Sequence, residues 1–320
     1  EEERDGFQNF DLAFLPSAPG GSLVRFAPEV LFFPNAVSES RDGVQPDPFG
    51  FVVAPVEGPA TFDATTPKFA LEWTAADDLL LYASAQRGFK RTPYEPEEIW
   101  AYEAGLKAGL LDKRLRLNAA TFIYDYTNLQ AQDSIANQPI IRNVGKAEVR
   151  GAEVEFAALL GSVFQLDGSV TYLDAVFTEG ELTEPLRPAP LTDEPGSTLR
   201  NLDGLRLPRA PEWKMNIGAQ ADFAAFGGDL TLRADYAWQD QVFFTVFNIN
   251  VASQDSYGVL RARATYAPGH GQYKVALFGE NLTDETYFTN QILTGTTYGA
   301  EFVGSLGTPR TFGIELSTQF

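Results

Sequence analysis

Apolar and polar positions along this chain alternate with a period of two, and turns interrupt the alternation at intervals. From Trp213 to Phe223, Trp213, Met215, Ile217, Ala219, Ala221 and Phe223 fall on one face and Lys214, Asn216, Gly218, Gln220 and Asp222 on the other. After Gly227-Gly228 the pattern restarts, with Leu230, Leu232, Ala234, Tyr236 and Trp238 opposite Thr231, Arg233, Asp235 and Gln239. A helix would scramble both sets, so two strands joined by a tight turn are predicted. The same alternation marks segments around Phe69–Trp73, Leu79–Gln86, Trp100–Ala108, Phe164–Tyr172, Leu260–Tyr266 and Thr311–Phe320, about eleven in all. Most run to ten residues or more, whereas strands of ordinary soluble proteins cluster near five or six. A tilted strand that crosses a bilayer needs roughly nine to eleven.

The connections between these segments are of two kinds. Ala75–Asp78, Leu111–Lys113, Leu160–Ser162, Ala225–Gly228 and Pro268–Gly271 are short turns. Gly88–Glu97, Asn128–Gly145, Thr178–Pro211, Gln241–Ser256 and Thr283–Thr308 read as long polar links. Short and long alternate strictly, which in an up-and-down antiparallel sheet puts every short turn at one end and every long link at the other. Transmembrane β-barrels carry this asymmetry, with short periplasmic turns and long extracellular loops. Greek-key sandwiches do not produce it so regularly.

Two strands depart from the rule. Lys146, Glu148 and Arg150 share a face, but the next polar pair is Glu153 and Glu155, a slip that predicts a β-bulge at Gly151-Ala152. Between Arg114 and Tyr126, the aromatics Phe122, Tyr124 and Tyr126 take over the face begun by Arg114, Arg116 and Asn118. Aromatics gather near segment ends (Trp73, Trp100, Tyr102, Trp213, Phe223, Tyr236, Trp238, Tyr257, Tyr266), as interfacial rings do and as ordinary core rings also can.

Composition narrows the function classes. The 320 residues hold 43 Asp plus Glu against 24 Lys plus Arg, a formal charge of −19, which argues against a nucleic-acid partner. There is no Cys, which excludes disulfides, thiolate metal sites and Cys nucleophiles, and the one His leaves a Ser-His pairing dependent on His270, in the turn between Pro268 and Gly271. Neither a catalytic site, a metal site nor a cofactor is predicted. The acidic pairs Asp77-Asp78 and Glu97-Glu98 match no EF-hand spacing and read as exposed turn residues. No stretch approaches the 18 to 20 apolar residues of a spanning helix. The start, Glu1-Glu2-Glu3-Arg4-Asp5, has neither Met nor a signal-peptide pattern, as in a processed protein or a fragment of a larger one.

The most specific residues lie in the second half. The closing segment, Pro309-Arg310-Thr311-Phe312-Gly313 through Phe320, resembles the last strand of a TonB-dependent outer-membrane receptor. Asn281-Leu282-Thr283-Asp284-Glu285-Thr286-Tyr287 resembles that family's Asn-Leu-x-Asp-x-x-Tyr signature, and Tyr102-Glu103-Ala104-Gly105-Leu106-Lys107 its Tyr-Glu-x-Gly-x-Lys strand. Asn143-Val144-Gly145 with Gly151-Ala152-Glu153, Tyr82-x-Ser84 with Gly88-Phe89-Lys90, and Leu207-Pro208-Arg209-Ala210-Pro211 resemble further strand motifs, all in the family's order between residues 67 and 320.

The resemblance implies an all-β fold: a transmembrane antiparallel up-and-down β-barrel, of which this chain supplies the C-terminal half, about eleven of twenty-two strands, with edges that an isolated half leaves open. Residues 1–64 would then be a long extracellular loop region and 65–320 the barrel half, with the plug and first barrel half absent. The resemblance also implies TonB-dependent uptake of a scarce solute, a ferric siderophore first, with outer-membrane lipid, the TonB complex and the barrel-assembly machinery as partners. Phe320, with Phe312, would carry the barrel-assembly signal. Ligand contacts are expected from loop aromatics and nearby amides: Phe243, Phe244, Phe247, Tyr287, Phe288, Tyr298, Gln239 and Asn290. The alternative for these rings is loop-to-loop packing or a place in the outer aromatic girdle. Arg233, Arg261, Arg263, Lys214 and Lys274 form a basic cluster on the polar face, either attracting an anionic ligand or contacting an acidic plug surface, or else neutralised by Asp222, Asp235 and Glu280. The rival functions are a passive porin and a soluble all-β binding protein or secreted hydrolase, whose apolar face a second sheet would bury.

Overall fold

The computed structural model describes residues 65–90, 96–135, 138–184, 199–269, 273–293 and 302–318, with side chains left undescribed at 132–135, 138–142, 183, 199 and 293. The chain divides into two units, Glu1–Thr65 and Thr66–Phe320, and the described residues belong to the second apart from Thr65. The expected loop over 1–64 lies outside them, as does His270.

The strands are β1 (Lys68–Ala76), β2 (Leu79–Lys90), β3 (Glu97–Leu110), β4 (Leu115–Ile135), β5 (Gln138–Leu160), β6 (Phe164–Thr183), β7 (Leu199–Asn201), β8 (Trp213–Ala225), β9 (Gly228–Gln239), β10 (Val242–Phe243), β11 (Ser253–Gln254), β12 (Tyr257–Pro268), β13 (Tyr273–Glu280), β14 (Phe288–Leu293), β15 (Phe302–Leu306) and β16 (Thr311–Thr318). Eleven of them make one antiparallel meander in the order β1-β2-β3-β4-β5-β6-β8-β9-β12-β13-β16, with β7 added against β6. Two small hairpins, β10–β11 and β14–β15, sit in the long connections. The sheet is all-β and uncrossed, as the alternating short and long links require. Among the described residues no ladder joins β1 to β16, so each is paired on one side only.

Register decides which side chains share a face. Met215 and Ile217 of β8 stand opposite Val170 and Gly168 on β6 and opposite Trp238 and Tyr236 on β9. The same face continues through Leu260 on β12, Leu277 on β13 and Ile314 on β16. No second layer covers it among the described residues: Ile217 is 45% exposed, Leu232 41% and Ile314 71%. A soluble sheet would bury such a face against another layer. The opposite face carries Asp167, Gly218, Asp235 and Arg261 in lateral register. The sheet is therefore a wall with an apolar outer side and a polar inner side, as in membrane barrels. Of the aromatics expected at the interface, Tyr257 departs: it pairs with Gln239 on the inner side.

The central strands correct two sequence expectations. Asn128–Gly145 is not a free link but the upper part of a hairpin, since β4 runs to Ile135 and β5 starts at Gln138, pairing from Leu129↔Gly145 to Ile135↔Gln138. Nor is there a bulge at Gly151-Ala152. Pairing there is unbroken on both sides, and the irregularities lie at Tyr126/Leu129 and Lys146/Ala147 instead. One cause explains both. At about 3.3 Å per residue, the 23 residues of β5 span roughly 75 Å, far more than an apolar band of ~25 Å needs, even for a tilted strand. Above that band the outer side meets water, so Glu148 and Arg150 project outward there while Glu153 and Glu155 project inward lower down, in one continuous register.

The inner face changes in the opposite sense. Phe122, Tyr124 and Tyr126 point inward at the long-loop end, as their phase in the sequence indicates, and the segment around Leu207 and Ala210 covers them. A neighbouring cluster buries Val144, Phe177, Leu182, Leu202 and Phe247. At the long-loop end the connections thus fold against the sheet and form a small dry core.

Candidate functional site

On the inner wall, cations and carboxylates alternate across strands. Arg233 reaches Asp167 through two parallel bonds of 2.8 and 3.0 Å and Asp235 at 2.6 Å. Between those two carboxylates, on the intervening strand, lies Gly218. A Cβ there would stand 2.8 Å from oxygens of both Asp167 and Asp235 and against the Arg233 guanidinium, so the absence of a side chain is what lets Arg233 cross the strand. Arg261 pairs with Glu280 at 2.9 Å and Arg263 with Glu315 at 3.0 Å. Of the five basic residues expected to form a cluster, three are thus held by carboxylates. Lys214 and Lys274 are exposed and reach no carboxylate within ion-pair distance among the described residues. Further round, Tyr82 donates to Glu103 at 2.7 Å. These pairs are partly hydrated, which limits each to modest stabilisation but fixes a charged, well-ordered surface.

Among the described residues, the long-loop end brings together three connections, described over 202–212, 240–256, and 281–293 with 302–310. Arg206 and Asn248 exchange bonds, Arg206 N–H donating to the Asn248 side-chain oxygen at 2.7 Å and Asn248 Nδ2 donating back to the Arg206 carbonyl at 2.9 Å. Arg209 N–H donates to the Phe243 carbonyl at 2.8 Å. The side chain of Arg209 donates to Asn290 Oδ1 at 2.5 Å, bringing in β14. Phe288 N–H donates to Gln254 Oε1 at 2.7 Å, and Tyr287 stacks on Tyr257 with centroids 4.2 Å apart. Gly307 lies beneath the Tyr287 ring, in space that a Cβ would take from it.

Asn281 anchors the third connection. It is 2% exposed, and its Nδ2 donates to the carbonyls of Glu285 at 2.8 Å and Thr308 at 3.0 Å while Oδ1 accepts the Glu285 N–H at 2.9 Å. Its φ of 50° is left-handed, a region Asn tolerates better than most residues. Asp284 then pairs with Arg310 at 2.7 Å. The Asn-Leu-x-Asp-x-x-Tyr and Pro-Arg motifs, distant in sequence, are two halves of one clamp.

The candidate ligand residues fall into different settings. Gln239, Tyr257 and Tyr287 form one group on the inner side. Phe243, Asn290 and Arg209 meet at the junction of the three connections, and Phe244 is fixed beside them by its N–H to the Ala252 carbonyl at 2.8 Å. Phe288 lies in β14, its N–H held by Gln254. Phe247 is 7% exposed and packs in the apolar cluster with Val144, Phe177, Leu182 and Leu202. Tyr298 and Phe320 lie outside the described residues, and Phe312 stands exposed on the outer face of β16. Arg209 escaped sequence reasoning: nothing in Leu207-Pro208-Arg209-Ala210-Pro211 signals a left-handed φ of 59° or a partner eighty-one positions on.

Comparison with known proteins agrees with this geometry. The sequence pattern of the family described as "TonB dependent receptor-like, beta-barrel" matches residues 38–282. The metal-pseudopaline receptor CntO of Pseudomonas aeruginosa is 31% identical over 126 residues, 37% of this chain and 18% of its own length. The fold is similar to that of the ferric yersiniabactin uptake receptor FyuA from Yersinia pestis, with a TM-score of 0.64 and 19% identity over 79% of this chain and 37% of that one. It is also similar to BauA, the ferric preacinetobactin receptor of Acinetobacter baumannii, with a TM-score of 0.59 and 24% identity over 80% of this chain and 36% of that one. The chain spans well under half the length of these relatives.

Proposed function

Because the chain belongs to the TonB-dependent receptor β-barrel family, whose members are transporters of the Gram-negative outer membrane and not enzymes, we propose that it forms the C-terminal half of the barrel, residues 65–320, in a receptor for a ferric siderophore or related metal chelate. Residues 1–64 are assigned to an extracellular loop region of the same receptor. The observation that carries the proposal is the two-sided wall: an apolar face open along its length, with Ile314 71% exposed, backs a polar face lined by cross-strand ion pairs. A wall of that kind separates hydrocarbon from an aqueous or plugged interior.

Uptake also needs a surface that captures solute. The connections at the long-loop end supply aromatic and amide groups in a fixed arrangement: Phe243 and Phe244, Tyr287 on Tyr257, with Asn290 and Gln239 beside them. Aromatic walls with a few polar groups suit a chelate of mixed polarity. In the full receptor the TonB complex supplies the energy, the barrel-assembly machinery inserts the strands through the terminal strand bearing Phe312 and Phe320, and the plug closes the lumen. That siderophore receptors share the fold supports iron as the cargo, and the metal-pseudopaline receptor supports metal chelates more broadly.

A strain lacking the full gene should grow more slowly than wild type on at least one member of a panel of ferric siderophores given as the sole iron source, and its uptake of radiolabelled iron from that chelate should fall at least tenfold. Unchanged growth and uptake on every chelate would remove iron as the cargo.

A further inference from the structure

Arg209 stands out from the other arginines at the long-loop end by its partner. Arg87, Arg150, Arg200, Arg206 and Arg310 each reach a carboxylate, at 2.6, 2.7, 3.1, 3.3 and 2.7 Å. Arg209 is exposed and reaches none among the described residues; its guanidinium donates only to the neutral Asn290 Oδ1. Among the described arginines, Arg114, Arg116 and Arg209 reach no carboxylate within ion-pair distance, and of these three only Arg209 stands at the long-loop end. It is also fixed. Its N–H is held by the Phe243 carbonyl, its φ of 59° is one that non-glycine residues seldom adopt, and Pro208 precedes it. The amide of Asn290 engages the guanidinium fork and leaves its other N–H groups without an acceptor among the described residues.

We propose that Arg209 is the specificity-determining anchor for a free carboxylate on the incoming metal chelate, aimed by Asn290 and flanked by the Phe243 segment. This rests on the reading of the long-loop end as the capture surface. The planar fork matches a carboxylate with two parallel bonds, which an ammonium cannot do. A strongly acidic protein repels anions at long range, so an uncompensated cation held at the loop junction decides whether an anionic chelate is retained. Asn290, being neutral, orients the side chain without cancelling its charge.

The test uses the full-length receptor in isolated outer membranes, with equilibrium binding of a panel of radiolabelled ferric chelates, half carrying free carboxylates (ferric citrate among them) and half uncharged (ferrichrome among them). For wild type, binding of at least one carboxylate chelate is expected. Arg209→Gln should weaken it at least tenfold, Arg209→Lys should recover only part of the loss, and Asn290→Ala should give a smaller loss. Heat-modifiable gel migration, which reports a folded barrel, should be unchanged in all three. Wild-type strength in Arg209→Gln, or full strength in Arg209→Lys, would overturn the anchor. If wild type binds only uncharged chelates, the anchor fails while the uptake reading stands. If it binds none, the iron-uptake reading fails and the anchor with it.

Discussion

At the residue scale, the most consequential side chains are polar groups that hold backbone together. Asn281 answers three main-chain groups from a buried position, and its neighbour Asp284 ties the same connection to Arg310. Replacing a fully engaged buried amide leaves those groups without partners, at a cost of about 1–3 kcal/mol. Asn281→Ala should therefore lower the urea midpoint of the refolded full-length receptor while leaving its apolar outer face intact; an unaltered midpoint would show that water replaces the amide without loss. The identity of such residues was legible only as motif letters. Asn281 and Arg310 are twenty-nine positions apart, and no periodicity connects them. The same holds for Arg233: its place on the polar face follows from alternation, but its two carboxylate partners and the open position at Gly218 depend on register between strands, which single-strand patterns do not carry.

At the element scale, strands and turns were readable because each outward side chain meets lipid independently of its neighbours, so every second position is selected to be apolar. That logic fails where the outer medium changes. In the β4–β5 hairpin the wall rises out of the apolar band, polar residues on both faces become compatible with a strand, and composition imitates a loop. The apparent slip at Gly151 has the same origin, with a face that turns from apolar to charged along an unbroken ladder. The inward rings Phe122, Tyr124 and Tyr126 gave the complementary signal, marking where connections pack on the inner side. That packing is testable through Phe177, 1% exposed and at the centre of the cluster with Leu182 and Leu202. Phe177→Ala should cost about 3–5 kcal/mol locally, opening the 202–212 connection to added protease in intact cells while barrel migration on gels stays heat-modifiable. Protease resistance equal to wild type would mean that the cluster does not hold the connection.

At the scale of the whole molecule, the sheet is a section of wall. β1 and β16 each offer one unpaired edge among the described residues, which lipid cannot satisfy, so further strands must complete them in the membrane. That the chain aligns with 37% of the FyuA chain accords with a section of a larger barrel. Everything functional depends on the two sides of this wall facing different media, and the absence of Cys in the chain makes that directly measurable by single labelled positions. In the full-length receptor reconstituted in bilayers, spin labels placed one at a time on β8 should report accessibility with a period of two. Labels at Met215, Ile217, Ala219 and Ala221 should favour oxygen, which partitions into hydrocarbon. Those at Lys214, Asn216, Gln220 and Asp222 should favour a water-soluble nickel chelate or be shielded from both reagents. Loss of the alternation, or preferential access of the nickel chelate to the Ile217 series, would contradict a lipid-facing wall.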